Sequence, residues 1–255
     1  MSIFCYHGVD PAWSSPLAVA PDTFEAQCRW LMRHRLMLDL PEAVERVDRR
    51  GRLPRGLAAL TFDDGFASLH EHALPVLARH RVPATVFVVA GTLVPEGRPV
   101  DWVDDPPAFP LATLTREQLL ELHQAGVGIG SHSHTHRDLT LLGQDECERD
   151  LRHSRELLED LLRRPVPFLA YPRGRHNERV RRSARRAGYT HAFTLPESHE
   201  PPGTHAIPRV GVYRRNGIGT LRLKAARPYL PLRTSPLLAA IRPHRRSPEP
   251  IEAGR

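Results

Sequence analysis

Short apolar segments alternate with helix-like segments along most of the chain, and this alternation limits the fold more than any other feature. Segments that are typical of helices separate the strand-like stretches, and several begin with a capping residue such as Asp22, Thr115 or Asn177. The strand-like stretches cover residues 2–7, 57–62, 83–90, 127–130, 166–171 and 189–194. Strands that alternate with helices form parallel sheets. The sequence therefore predicts an α/β fold with a parallel sheet, either open or closed into a barrel.

The length and composition are those of one globular domain. A chain of 255 residues, 40% hydrophobic and 25% charged, can bury a sizeable core, and α/β barrels of this length commonly form one domain. The pattern changes near the C-terminus, where prolines punctuate an arginine-rich stretch. We assign residues 1–229 to a single catalytic domain and residues 230–255 to a Pro/Arg-rich tail that is expected to be poorly ordered.

Charge and cysteine content argue against several classes of protein. The net charge of +7 comes almost wholly from scattered arginines, since Lys224 is the only lysine. A basic balance of this kind is weak support for nucleic-acid binding, so no nucleic-acid partner is predicted. Cys5, Cys28 and Cys147 have no CxxC spacing and are expected to pack as small hydrophobic side chains. No signal peptide and no apolar run near the ~20 residues of a membrane span are visible, so a cytoplasmic location is expected.

Acidic and histidine side chains follow two of the strand-like stretches. Asp63 and Asp64 come directly after one, and His132 and His136 come just after another. In parallel α/β folds such strand ends meet at one edge, where catalytic groups are found. One carboxylate and two imidazoles form a suitable ligand set for a divalent metal with open coordination positions, and the second carboxylate is then free to act as a base. This combination indicates a metal-dependent hydrolase.

These motifs resemble those of a known family. Thr61-Phe62-Asp63-Asp64-Gly65 and His132-Ser133-x-x-His136 resemble the first two motifs of the polysaccharide deacetylase family (NodB-type, carbohydrate esterase family 4). Pro83-Ala84-Thr85-Val86-Phe87 and Arg186-Ala187-Gly188-Tyr189 are similar to its framework segments, so that the match spans about residues 2–213. The resemblance implies a distorted parallel (β/α) barrel that removes acetyl groups from N-acetylated carbohydrates with a bound metal.

The same resemblance implies roles for the four side chains. Asp64, His132 and His136 correspond to the metal ligands and Asp63 to the general base. Zinc is the expected metal, and Co²⁺, Ni²⁺ or Fe²⁺ would fit the same ligands. A metal in such a site lowers the pKa of water towards ~7 and polarises the acetyl carbonyl group. Asp63 would take the proton of the attacking water.

The third motif departs from the common family pattern. Many members carry Arg-x-Pro-x-Gly after a strand, whereas Ala170 stands here at the arginine position that would pair with the base. An Ala-Tyr-Pro-x-Gly version resembles the branch that contains poly-N-acetylglucosamine deacetylases. Tyr171 is the aromatic residue that we place against a sugar ring, with a core position as an equal alternative. Pro172-Arg173-Gly174 would form the oxyanion site through the backbone amide of Arg173.

A general acid is also needed to protonate the leaving amine. Many relatives supply it from a late Leu-x-His motif, but residues 207–213 contain no histidine. In the poly-N-acetylglucosamine branch the barrel is circularly permuted and the acid histidine comes from the N-terminal strand. The resemblance therefore makes His7 the candidate acid, with a capping or core histidine as the alternative.

Three functions remain open from the sequence. The leading one is a metal-dependent carbohydrate N-deacetylase, and the second is a hydrolase of another non-peptide C–N bond or of an O-acetyl ester. The third is a non-catalytic protein that binds carbohydrate or nucleic acid, against which the intact metal and base residues argue. The absence of a visible signal peptide favours an intracellular biosynthetic intermediate as substrate. The long loop of residues 91–114, with Asp101, Trp102, Asp104 and Asp105, is expected to shape specificity.

Overall fold

A computed structural model describes residues 2–50, 54–94, 100–104, 106–196 and 203–236. Its strands are β1 (Ser2–Tyr6), β2 (Gly8–Val9), β3 (Ala18–Val19), β4 (Leu36–Met37), β5 (Leu57–Phe62), β6 (Ala84–Val88), β7 (Gly128–Ser131), β8 (Phe168–Ala170), β9 (His191–Thr194), β10 (Ile207–Pro208) and β11 (Val210–Gly211). Its α-helices are α1 (Pro21–His34), α2 (Leu40–Arg50), α3 (Leu74–His80), α4 (Arg116–Gln124), α5 (Gln144–Leu162), α6 (Glu178–Arg186), α7 (Ile218–Lys224) and α8 (Tyr229–Arg233).

The main sheet is parallel and almost closes on itself. Its strands follow the order β10-β9-β8-β7-β6-β5-β1-β11, and β4 pairs with β5 outside this path. The two end strands, β10 and β11, are consecutive in the chain and are separated only by Arg209. The short segment 207–211 therefore pairs with β9 on one side and with β1 on the other. The predicted parallel (β/α) barrel is confirmed, and it is nearly closed.

The core has one layer inside the barrel and another between the barrel and its helices. All side chains of β5 are buried, as expected for a parallel strand that is covered on both faces. Neighbouring residues of a strand point to opposite faces. Accordingly, Ile3 packs in a cluster with Phe87 and Phe193, while Phe4 packs in a different cluster with residues of α1 such as Phe24.

Two predicted helix beginnings are confirmed and one is wrong. Thr115 and Gln118 form a capping box at α4, and the side chain of Asn177 accepts a hydrogen bond from the backbone of Val180 at α6 (3.0 Å). Helix α1, however, begins at Pro21, with Ala20 at the N-cap position and no side-chain cap. Proline is favoured in the first turn because its fixed φ suits a helix and its missing N–H would have no partner there. Asp22 therefore lies within the first turn and does not cap the helix.

The helical segment of residues 69–80 is divided into two parts. A π-helical turn, Leu69–Ala73, precedes α3, and Pro75 occupies the first turn of α3. Proline cannot donate a backbone hydrogen bond to the preceding turn, and this explains why the regular ladder of one α-helix does not continue through it.

The end of the described chain packs on the barrel. The predicted boundary between residues 229 and 230 falls inside α8, whose Arg233 side chain donates a hydrogen bond to the carbonyl oxygen of Pro196 (2.5 Å). Residues 237–255, which make up most of the predicted tail, lie outside the described residues. No helix in the described parts of the chain is long and apolar enough to cross a membrane.

Candidate active site

The ends of β5 and β7 bring the two sequence motifs together. Oδ1 of Asp64 lies 3.7 Å from Nε2 of His132 and 3.2 Å from Nε2 of His136. The three side chains are almost completely buried, and their ligand atoms all lie within 4.8 Å of one another. Zinc–ligand distances of about 2.1 Å place neighbouring ligand atoms about 3.4 Å apart in a tetrahedral site. The spacing and the donor types therefore fit one divalent metal ion.

The backbone at the site adopts an uncommon conformation. Asp64, Ser133, His136 and Arg173 have φ values of 69°, 68°, 58° and 57°, in the left-handed region that non-glycine residues rarely enter. Such residues cluster at functional sites, where the surrounding structure holds them in place. Gly65 continues the turn with φ of 66°, and a Cβ atom on it would lie 2.9 Å from Cγ1 of Val88. This turn allows the adjacent carboxylates of residues 63 and 64 to point in different directions.

The ring orientation of His132 suits metal binding. Its Nδ1 donates a hydrogen bond to the carbonyl oxygen of Ala170 (2.8 Å), which leaves Nε2 unprotonated towards Asp64. Burial lowers the pKa of His132 to about 4, so the ring is neutral near pH 7, as a ligand must be. Burial would raise the pKa of Asp64, but contact with His136 and the other nearby histidines lowers it overall.

Helix α5 fixes the loop that carries the histidines. The Asp150 carboxylate accepts hydrogen bonds from the backbone N–H of His134 (2.8 Å) and from the hydroxyl group of Thr135 (2.5 Å). The backbone N–H of His136 in turn donates to Oγ of Ser133 (2.9 Å). The loop is therefore held by bonds to a helix and by bonds within itself, which limits movement of both imidazoles.

Asp63 is held separately from the metal ligands. Both terminal nitrogens of Arg209 donate to the Asp63 carboxylate, each at 2.7 Å, and both side chains are buried. Sγ of Cys5 also donates to Oδ2 of Asp63 (3.2 Å). Burial would raise the pKa of Asp63, but the positive charges of Arg209 and His132 and the Arg209 hydrogen bonds hold it well below its usual range. Asp63 is therefore a carboxylate at neutral pH.

Arg209 provides the charged partner of Asp63 that the third motif lacks, since Ala170 stands there at the arginine position. It is the single residue between β10 and β11, and its backbone N–H donates to the carbonyl oxygen of Thr194 (2.9 Å). The segment that closes the barrel therefore carries the guanidinium group to Asp63, where Arg209 also lies over the Phe87 ring (5.3 Å). This residue was not predicted from the sequence, although a lone arginine between apolar residues in 207–213 was a usable signal.

Trp102 lies over the metal ligands. Its indole N–H donates to Oδ1 of Asp64 (3.2 Å), and its ring centroid is 4.8 Å from that of His136. The backbone oxygen of Trp102 accepts a hydrogen bond from the Arg173 side chain (3.0 Å). The predicted loop thus reaches the site through Trp102, and Arg173 fixes the loop with its guanidinium group.

The end of β1 brings His7 beside Asp63. A ring nitrogen of His7, Sγ of Cys5 and a carboxylate oxygen of Asp63 lie within 4.8 Å of one another. Nδ1 of His7 is buried and has no hydrogen-bond partner among the described residues. The ring stacks on Tyr213 at a centroid distance of 6.4 Å. His7 is therefore next to the reacting groups, although its role stays a prediction.

The residues of the third motif lie in different surroundings. Tyr171 is fully buried, its hydroxyl group donates to the carbonyl oxygen of His205 (3.1 Å) and its ring stacks on His176. Of the two positions predicted for Tyr171, the structure therefore has the one in the core. A ring that is so buried does not fit the prediction that it faces a sugar. Pro172–Gly174 form a tight turn after β8 in which Gly174 has a φ of 69°. The oxyanion role of the Arg173 amide stays a prediction.

A parallel barrel with an Asp-His-His cluster and a separately held carboxylate at its strand ends is the architecture of a metal-dependent hydrolase. A family model described as polysaccharide deacetylase matches residues 50–192, which is more than half of the chain. The chain therefore belongs to the polysaccharide deacetylase family, whose deacetylases are metal-dependent hydrolases of amide C–N bonds.

Relatives of known name and structure agree with this assignment. The poly-β-1,6-N-acetyl-D-glucosamine N-deacetylase of Staphylococcus aureus strain MRSA252 is 25% identical over 205 residues, which cover 76% of this chain and 67% of the relative. IcaB from Ammonifex degensii superimposes with a TM-score of 0.74 at 26% identity, covering 88% of this chain and 96% of that one. The Streptococcus pyogenes deacetylase PplD, solved in complex with acetate, gives 0.73 at 25% identity and covers 89% and 98%.

Proposed function

We propose that the protein removes acetyl groups from N-acetylglucosamine units of a β-1,6-linked glycan, with Zn²⁺ held by Asp64, His132 and His136. The observation that carries this proposal is that the two adjacent aspartates have different partners. Asp64 faces the imidazoles of His132 and His136, whereas Asp63 is held by Arg209. The named substrate of the Staphylococcus aureus relative supports the choice of glycan.

Asp63 is the general base in this proposal. Zinc supplies an activated water and polarises the acetyl carbonyl group when it is bound. The two hydrogen bonds from Arg209 leave the Asp63 carboxylate oxygens with further lone pairs, so the group can accept a proton while its orientation is fixed. The backbone amide of Arg173, in the turn after β8, would donate to the oxyanion.

His7 is the general acid. Its ring lies beside Asp63, and the stacking on Tyr213 fixes the ring plane. A protonated imidazole at this position can give its proton to the amine as the C–N bond breaks.

Replacing His7 by alanine is expected to reduce turnover by about 10²-fold or more, the usual scale for an acid–base group, while zinc stays bound. Acetate release and metal content measured on the same preparation test this expectation. His34→Ala, in the last turn of α1, is the control. Unchanged turnover in His7→Ala would remove His7 from the mechanism.

Trp102→Phe is expected to weaken zinc binding by about 10-fold, because it removes the indole N–H from Asp64 and keeps an aromatic ring against His136. Competition with a chromophoric chelator measures this affinity. Trp30→Phe is the matched control, since Trp30 stacks on His34 of α1. Equal affinities in the wild type and Trp102→Phe would show that this hydrogen bond does not position the ligand.

The substrate is tested with defined oligosaccharides. Acetate release from β-1,6-linked N-acetylglucosamine oligomers is compared with release from β-1,4-linked oligomers and from an O-acetylated sugar of similar size. Faster release from the β-1,6-linked oligomers supports the proposal. Preference for the O-acetyl ester would replace it with an esterase function, and preference for the β-1,4 linkage would change the proposed glycan.

A further inference from the structure

A second set of metal-binding side chains lies beside the first. Cys5 and His7 come from the end of β1 and Asp63 from the end of the neighbouring strand β5. One ligand atom from each of these residues lies within 4.8 Å of the other two. The set shares no residue with Asp64, His132 and His136. It contains a sulfur atom, which the first set lacks.

The geometry of this second set fits a zinc ion. Zinc binds thiolate sulfur at about 2.3 Å and carboxylate oxygen at about 2.0 Å, so in a tetrahedral site these two atoms lie about 3.5 Å apart. Sγ of Cys5 and Oδ2 of Asp63 are 3.2 Å apart, which requires a movement of a few tenths of an ångström. His7 has a buried Nδ1 without a hydrogen-bond partner among the described residues, so binding need not break a bond at this atom.

Binding of a divalent ion to this set is a simple exchange of the metal for a proton. Binding replaces the proton of the Cys5 thiol by the metal ion and releases that proton to solvent, with no change in oxidation state. One thiolate and one carboxylate together neutralise a divalent ion. The guanidinium group of Arg209 also contacts Asp63, so an ion here experiences a nearby positive charge and binds more weakly than one at the Asp64 cluster.

We propose that Cys5, His7 and Asp63 form a second, weaker site for a thiophilic divalent ion such as Zn²⁺, and that occupancy of this site inhibits the enzyme. A thiolate ligand selects zinc or cadmium over magnesium or calcium. The inhibition rests on the proposed function, in which Asp63 is the base and His7 the acid. An ion held by both removes the groups that transfer protons.

Cobalt titration of the full-length protein tests the site without an activity assay. Only a site with a cysteine ligand gives a thiolate-to-cobalt charge-transfer band, and the Asp64 cluster has only nitrogen and oxygen ligands. After the first equivalent of Co²⁺, further Co²⁺ should produce this band in the wild type and in Cys28→Ala, which changes a buried cysteine of α1. Cys5→Ser should abolish it. His7→Gln should raise the cobalt concentration at which it appears.

The activity arm of the test uses zinc. Acetate release should reach a maximum near one Zn²⁺ per chain and should fall in excess Zn²⁺. Each variant is normalised to its own rate at one equivalent. Cys5→Ser should raise the zinc concentration for half-inhibition at least about 10-fold, since loss of a ligand costs no less than loss of a ligand's hydrogen-bond partner. Cys28→Ala should leave this concentration unchanged.

The two proposals fail in different ways. A wild-type protein that shows no charge-transfer band in excess cobalt overturns the second site, as does a band that survives in Cys5→Ser. A band that depends on Cys5, in a protein that releases no acetate, supports the second site and overturns the proposed function. Acetate release without the band, and without inhibition by excess zinc, supports the function and overturns the second site.

Discussion

Asp63→Asn is expected to lower the rate of acetate release by about 10²–10⁴-fold at saturating substrate. Asparagine has nearly the same shape and can still accept a hydrogen bond from Arg209 through its side-chain oxygen, but it cannot take a proton from water. The Asp64 cluster is unchanged by the substitution, so the effect should fall on turnover. Steady-state kinetics on N-acetylglucosamine oligomers measure it.

A control separates loss of the base from loss of a carboxylate in general. Asp22→Asn removes a carboxylate in the first turn of α1 and should leave turnover within about two-fold of the wild type, as for most surface substitutions. If Asp63→Asn retained wild-type turnover, another group would be the base, and the separate position of Asp63 would have no catalytic meaning.

Arg209→Met is expected to lower the free energy of unfolding by about 3–5 kcal/mol, because it leaves Asp63 as a buried charge without its partner. Methionine fills a similar volume with no polar atom, which keeps the effect on packing small. Turnover should fall as well, since the base loses the two hydrogen bonds that orient it. Urea unfolding of the metal-free protein measures the stability change.

A double-mutant cycle tests whether this loss comes from the ion pair. Asp63→Asn combined with Arg209→Met removes both charges, so the double variant should be more stable than Arg209→Met alone. Arg182→Met, on the exposed side of α6, is the matched control and should change stability by less than about 0.5 kcal/mol. If Asp63→Asn destabilises the Arg209→Met variant as much as it destabilises the wild type, the two side chains do not interact energetically.

The parts of the site that follow from local sequence were the ones that could be predicted. The motif around Asp63 and Asp64 and the motif around His132 and His136 each occupy a few consecutive residues after a strand. Because parallel strands end at the same edge of a barrel, the alternation of strands and helices was sufficient to predict that these motifs meet. The capping residues Thr115 and Asn177 were also local signals, and they marked the correct helix starts.

The parts that depend on closure of the barrel could not be predicted in the same way. Arg209 is 146 positions from Asp63, and the two meet only because segment 207–211 fills the gap between β9 and β1. Trp102 reaches Asp64 from a long loop whose path no periodic pattern specifies. The buried position of Tyr171 depends on packing against His176 and on a hydrogen bond to the carbonyl oxygen of His205, which is 34 positions further along the chain.

The metal content of the purified protein tests the central claim most directly, which is that Asp64, and not Asp63, is a ligand of the tightly bound catalytic metal. The proteins are dialysed against metal-free buffer after loading with zinc, so that weakly held ions are removed. About one Zn²⁺ per chain is expected in the wild type and in Asp63→Asn, and almost none in Asp64→Ala or His132→Ala. A wild type that holds no metal after loading, or an Asp64→Ala variant that retains it, would contradict the account.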